Sequence, residues 1–256
     1  MNRSTADRPA PHASAAETPP GEGLRERKKR LMRRQLSDTA TALFLARGFD
    51  AVSVAEIAES CGVSEKTVFN YFPTKESLLL DRWDATLAAL RTALADPALS
   101  PAEAALRVLS AELAGITALL EAHEDPSVAA AQLLRFGDLL RSTPALRARR
   151  HDMADELAVA AAEALAERYG AEPESPECQI AASALIGLWQ VQIHSLRTHL
   201  AGGTHSAAQL RKAVTGDVER AARLLDAGLG SLEDRSGGKG PRRDGRRAVF
   251  NRPPRQ

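Results

Sequence analysis

Apolar positions recur with a helical period through almost the whole middle of this chain. Leu36, Ala40, Leu43 and Phe44 stand at i, i+4, i+7 and i+8, one face of a helix. Gly48 follows Arg47 and is expected to end that helix in a left-handed residue. Ser53 and Glu56 have capping-box spacing, which starts a short helix at Val54. Gly62 ends it, Ser64 caps the next helix, and Pro73 cannot continue that one. The pattern then predicts a longer helix from Thr74 to Ala95, an interruption at "DPALSP", and helices over 101–123, 126–142, 144–169, 174–200 and 206–229. The breaks are legible as Asp125-Pro126, Thr143-Pro144, Gly170 with Pro173 and Pro176, and Gly202-Gly203. Thr143 is expected to cap the helix that Pro144 opens. No repeat of fixed period is present. The expected fold is all-α: three short N-terminal helices followed by a C-terminal bundle of about six.

Composition supports helix, since Ala, Leu, Glu and Arg dominate and β-branched or aromatic runs are scarce. A chain of 256 residues fits one or two domains. Cys61 and Cys178 have neither disulfide-framework nor metal spacing, which fits a reducing cytoplasm. No apolar segment follows the N-terminal charges as in a secretory signal, and no run approaches about 18 apolar residues, so no membrane association is expected. No G-x-S-x-G, P-loop or H-E-x-x-H occurs. An enzyme is therefore not expected, nor is a cofactor or a metal.

Charge divides the chain. Residues 24–83 carry 11 basic and 8 acidic side chains, residues 84–230 carry 13 and 19, and residues 231–256 carry 8 and 3. An acidic body flanked by basic segments suggests one end that meets a polyanion and one that does not. Residues 1–23 are rich in Pro, Ala, Ser and Gly and read, like the basic segment 231–256, as disordered tails. The stretch "RERKKRLMRR", residues 25–34, holds seven basic residues and one acid. It lies ahead of the first core helix and reads either as an arm following phosphates or entering a minor groove, or as a solvated basic stretch. The arginines of the C-terminal tail either add non-specific attraction to nucleic acid or keep the tail solvated.

The segment "VAEIAESCGVSEKTVFNYF", residues 54–72, meets the demands of a helix-turn-helix one position at a time. Steeply crossed helices need a small contact residue, supplied by Ala58. The turn needs a residue that tolerates positive φ, supplied by Gly62. The seam needs apolar residues, supplied by Ile57, Val63 and Val68. Val68 and Phe72, at i and i+4, should point inward, so the cluster "TVFNYF" divides between core and exterior.

Residues 30–82, with "RGFDAVSVAEIA", "GVSEKTVFNYF" and the following "PTKESL", resemble the TetR family of bacterial transcriptional regulators. The resemblance implies a homodimer that sets one recognition helix per subunit in the major groove of double-stranded DNA. It also implies a body that binds a small effector, and usually repression relieved by that effector. The geometry that follows is a palindromic operator read by helices about 34–36 Å apart or a multiple of one turn. On this footing, residues 24–83 form the DNA-binding domain and 84–230 the effector-binding and dimerisation domain. An effector-independent activator or architectural factor is the alternative, and a helical protein-interaction module is disfavoured by the basic arm.

Side chains early on a recognition helix reach base edges. Lys66 can donate to guanine O6 and N7, Asn70 can pair with adenine N6 and N7, and Thr67 can touch a thymine methyl or a phosphate. Glu65 either accepts from cytosine N4 or sits favourably at the positive helix end. Phe69 offers apolar contact to a base or sugar. Phosphate contacts are expected from Ser53, Ser64, Tyr71 and Lys75. The positions matching Thr67, Tyr71 and Lys75 commonly take that role in the family. Ser53 and Ser64 also read as helix caps, a role compatible with anion contact.

In the body, the resemblance implies that the last two helices form a four-helix bundle with the second subunit. Ile180, Ala184, Gly187, Leu188 and Val191 form one apolar face, and Leu210, Val214, Val218, Ala221 and Leu225 another; the alternative is that these faces form an ordinary intrachain core. Candidate effector contacts are His123, Arg135, Phe136, Trp189 and His194. The plainer readings are Trp189 as core and Arg135 paired with Asp138 at i,i+3 or facing water, while His194 and His199, five apart, do not stack on one helix face for metal binding.

Overall fold

A computed structural model describes residues 23–81, 83–203 and 206–236, without the side chains at 83 and 227–236. The tail expectations for 1–22 and 237–256 lie outside the described residues. Nine helices are described: α1 (Leu24–Arg47), α2 (Val54–Ser60), α3 (Glu65–Tyr71), α4 (Trp83–Ala95), α5 (Pro101–Ala122), α6 (Pro126–Ser142), α7 (Pro144–Tyr169), α8 (Pro176–Ala201) and α9 (Ala207–Ser236). A 3₁₀ turn at Glu76–Leu78 separates α3 from α4. No strand occurs among the described residues. The fold is all-α, an N-terminal helix-turn-helix unit followed by a helical bundle.

Local chemistry explains the boundaries. Ser53 Oγ accepts from the Glu56 amide at 3.2 Å, and Glu56 returns a carboxylate to the Ser53 amide at 2.7 Å. Ser100 and Glu103 repeat this capping box at α5. Prolines occupy the first turn of α5, α6, α7 and α8, where their missing N–H costs nothing. Gly170 closes α7 in the left-handed region.

Two hydrophobic clusters result. The first joins Leu36, Ala40 and Phe44 of α1 to Ile57, Ala58, Val68, Phe72 and Leu78. The Phe44 and Phe49 rings meet within it at 4.9 Å, tilted by 44°. The second runs through α4 to α9, with Leu90, Leu109, Ala130, Leu157, Leu185 and Leu210 among its buried members. The clusters are not sealed from each other: Leu146 of α7 is buried in the first, and Phe136, Leu139 and Leu140 of α6 pack on it.

Several expectations need correction. The basic arm is not a segment ahead of the first helix; residues 25–34 are the opening turns of a 24-residue α1. Gly48 has φ 86° and ψ 156°, a glycine conformation outside the left-handed helical region. The helix expected from Thr74 starts only at Trp83, because Thr74 and Ser77 exchange side-chain bonds to each other's amides and hold a separate turn. Thr143 is buried and makes no side-chain cap bond. The last helix runs past the expected end at 229 to Ser236, so residues 231–236 are helical rather than tail.

Candidate nucleic-acid interface

The turn between α2 and α3 is built by Gly62 at φ +68°, where an added Cβ would meet nothing within 4 Å. The demand there is conformational, not spatial. Across the turn Ile57, Ala58 and Val68 are buried, and Val63 packs partly against the same cluster. At the start of α3, Ser64 Oγ accepts from the Thr67 amide at 3.2 Å and lies 2.9 Å from Thr67 Oγ1. The cap and the hydroxyl pair fix the first turn of the helix.

The seven residues of α3 then divide cleanly. Val68 is 1% exposed and Phe72, just beyond the helix, is 0% exposed. Glu65, Lys66, Phe69 and Asn70 are exposed, with Phe69 at 47%. Thr67 and Tyr71 are half-buried, Tyr71 packing partly on the core. Phe69 is the one large ring on the outward side of α3, beside Lys66 and Asn70. Ser53 and Ser64 are exposed at the N-termini of α2 and α3. Backbone bonds of the capping box, followed by the Arg47 guanidinium 2.9 Å away, hold the Glu56 carboxyl below its usual range.

Lys75 stands apart from the other expected phosphate contacts. Its ammonium donates to the Phe49 carbonyl at 2.6 Å and lies over the Phe49 and Phe44 rings at 4.3 and 5.4 Å. It braces the α1–α2 connection by a charged hydrogen bond and cation–π contact.

The arm sorts into two groups. Arg33 donates to the Tyr71 carbonyl and to Asp81, and Arg34 pairs with Asp38 at 3.7 Å. Arg25, Arg27, Lys28 and Lys29 are exposed along the first turns of α1, next to Leu24 and Leu31 at 78% and 52% exposure. Arg33 and Asp81 were not singled out by sequence; the only available signal was that Arg33 shares a helical face with Leu36 and Ala40.

The five candidate effector residues are not brought together. His123 lies in the α5–α6 turn, its Nδ1 accepting from the Asp125 amide at 3.1 Å. Arg135 does not pair with Asp138, which binds Arg141 instead. It donates to the Leu45 carbonyl at 2.9 Å, supplying the charge favoured at the C-terminal end of α1. Phe136 packs on the headpiece core, and His194 is exposed on α8. Only Trp189 reaches the interior junction of several body helices. Its Nε1 donates to Glu112 of α5 at 3.0 Å, and Thr86 of α4 donates to the other oxygen of the same carboxylate at 2.5 Å.

His199 is not idle either. Its Nε2 lies 3.1 Å from Asp217 of α9, which also accepts from Ser195 at 2.6 Å and binds Arg220. The Ser195 bond above all holds the Asp217 carboxyl below its usual range. Among the described residues no cluster of His, Cys, Asp and Glu could hold a metal ion, and no helix is long and apolar enough to cross a membrane.

Comparison with known proteins agrees with this geometry. The profile described as "Bacterial regulatory proteins, tetR family" matches residues 36–81, the helix-turn-helix unit. The HTH-type transcriptional regulator TcmR of Streptomyces glaucescens is 32% identical over 160 residues, spanning 62% of this chain and 70% of TcmR. The uncharacterized HTH-type transcriptional regulator YuxN of Bacillus subtilis is 46% identical over 43 residues, 17% of this chain and 15% of YuxN. Thermus thermophilus FadR, a TetR-family repressor solved with lauroyl-CoA, shares 24% identity over 77% of this chain and 94% of its own, superposing loosely with a TM-score of 0.45. The chain belongs to the TetR family of bacterial DNA-binding transcriptional regulators.

Proposed function

We propose that this chain is a dimeric, ligand-responsive repressor that binds a palindromic operator. The observation that carries the DNA-reading part is the division of α3: Val68 is buried while Glu65, Lys66, Phe69 and Asn70 project outward from a capped, braced helix. Lys66 and Asn70 take the base-reading roles, Thr67, Ser53, Ser64 and Tyr71 the phosphate roles, and Phe69 an apolar contact. Lys75 supports the surface from beneath. The proposed DNA-binding unit is 24–83 and the proposed regulatory unit 84–230.

Dimerisation is supported by α8. Leu185, Leu188, Gln192 and Ser195 face the chain's own core, whereas Ile180 is 68% exposed and Ala184, Gly187 and Val191 on its stripe are only half-buried. Val191 also packs on the chain's own core, which leaves Ile180, with Ala184 and Gly187 at i+4 and i+7, as the apolar stripe open to a second subunit. For the effector, the junction of Trp189, Glu112 and Thr86 is the proposed contact, because it joins three body helices through one carboxylate. The chain acts in the cytoplasm on this reading.

Gel-shift titration of the chain against the DNA upstream of its own gene, with a scrambled competitor, tests the proposal. One saturable complex, at least about a thousandfold tighter than the scrambled duplex, is expected. Equal affinity for both duplexes would contradict it.

A further inference from the structure

We propose that Arg33 is a positioning residue: it sets the pose of the recognition helix, and through it base discrimination, instead of touching DNA as its place in the basic arm suggests.

A seven-residue helix has no stability of its own, so its orientation depends on what grips it. Val68 and Phe72 grip the inner side of α3. Its C-terminal end carries carbonyls with no partner inside the helix. Arg33, half-buried on α1, reaches that end with its whole guanidinium. Nη1 donates to the carbonyl of Tyr71, the last residue of α3, at 2.8 Å. Nε and Nη2 both reach Oδ1 of Asp81 at 2.5 Å. The guanidinium carbon lies 4.6 Å from the centre of the Phe72 ring. One turn along α1, Ser37 donates to the Leu78 carbonyl at 2.8 Å, so a single face of α1 holds both the end of α3 and the turn after it.

Three partners from three places meet one planar group: the end of α3, the core ring beyond it, and the residue that leads into α4. This is a task for a rigid, forked donor. A lysine at the same position keeps the charge but offers neither the plane over Phe72 nor parallel donors. The geometry therefore separates Arg33 from Arg25, Arg27, Lys28 and Lys29, which are exposed; on the proposed DNA-binding reading, such charges meet phosphates irrespective of sequence.

The test uses the full-length chain with Arg33→Lys, Asp81→Asn and Arg33→Ala, titrated over a salt series onto operator and scrambled duplexes. Arg33→Lys should weaken operator binding about tenfold or more while scrambled binding and the salt slope stay near wild type. Asp81→Asn should shift the ratio in the same direction by less. Amide exchange without DNA gives an independent readout: residues 68–72 should exchange faster in Arg33→Lys and Asp81→Asn, and α8 should not change. Arg33→Lys that matches wild type in binding and exchange would overturn the proposal. So would equal losses on both duplexes with a salt slope lower by about one, the mark of a phosphate contact. If wild type fails to prefer any operator, the DNA-reading assignment fails instead, and the exchange experiment alone decides Arg33. If Arg33→Ala does not fold, the two conservative variants carry the test.

Discussion

Phe72→Ala is expected to unfold the DNA-binding headpiece and leave most of the body folded. Phe72 is 0% exposed and lies where α1, α3 and the following turn converge, with Arg33 over its ring. Removing a buried phenyl ring costs about 3–5 kcal/mol. A three-helix unit has little apolar core to lose, and its margin is on the order of a few kcal/mol. The body has its own cluster, to which Phe72 does not belong. Amide exchange should therefore show α2 and α3 unprotected, while α5, α8 and α9 keep their protection, and DNA binding should vanish. Uniform loss of protection throughout the chain would mean that Leu146 and Phe136 bind the two clusters into one cooperative unit.

The second large effect concerns the exposed cations of α1. With Arg25, Arg27, Lys28 and Lys29 all replaced by Gln, affinity for any duplex should fall on the order of a hundredfold near 0.1 M salt. The slope of log affinity against log salt should flatten by about 3 to 4, since each neutralised phosphate contributes about 0.9. The ratio of operator to scrambled affinity should barely move. Gln is a good helix former, so α1 should persist, as circular dichroism can verify. A lost ratio with an unchanged slope would reverse the roles of these four cations and of Arg33.

Sequence and structure agree best where a demand falls on one position. Ala58, Gly62 and Val68 each satisfy a local steric need, and Ser53, Glu56 and Ser64 satisfy amides three residues away, so spacing alone reveals them. Long cations behave differently. Arg33, Lys75 and Arg135 find carbonyls 38, 26 and 90 residues away in sequence, and no periodicity reports a partner at that distance. Placing Arg33 in a DNA-binding arm follows charge, and the phosphate role expected of Lys75 follows the family resemblance; neither says which way a flexible side chain turns. The expected helix from Thr74 fails for a related reason. Its residues suit a helix, but Thr74 and Ser77 close a local turn and Asp81 is held by Arg33, so tertiary partners override propensity. Ile180 lies on an apolar face, as its spacing predicts, yet that face divides: Leu188 is buried in the chain's own core while Ile180 is 68% exposed, because hydrophobicity identifies a face that needs covering and not what covers it.

The function proposed for this protein turns on the outward side chains of α3 reading bases. Selection of bound sequences from a randomised duplex pool, run in parallel with wild type and Asn70→Ala, tests this most directly. Wild type should enrich two inverted half-sites spaced by one helical turn or a multiple of it. Asn70→Ala should enrich the same sites with preference relaxed at one symmetric position, at a cost of about 1–3 kcal/mol there. Identical enrichment by both proteins, or none by wild type, would contradict the claim.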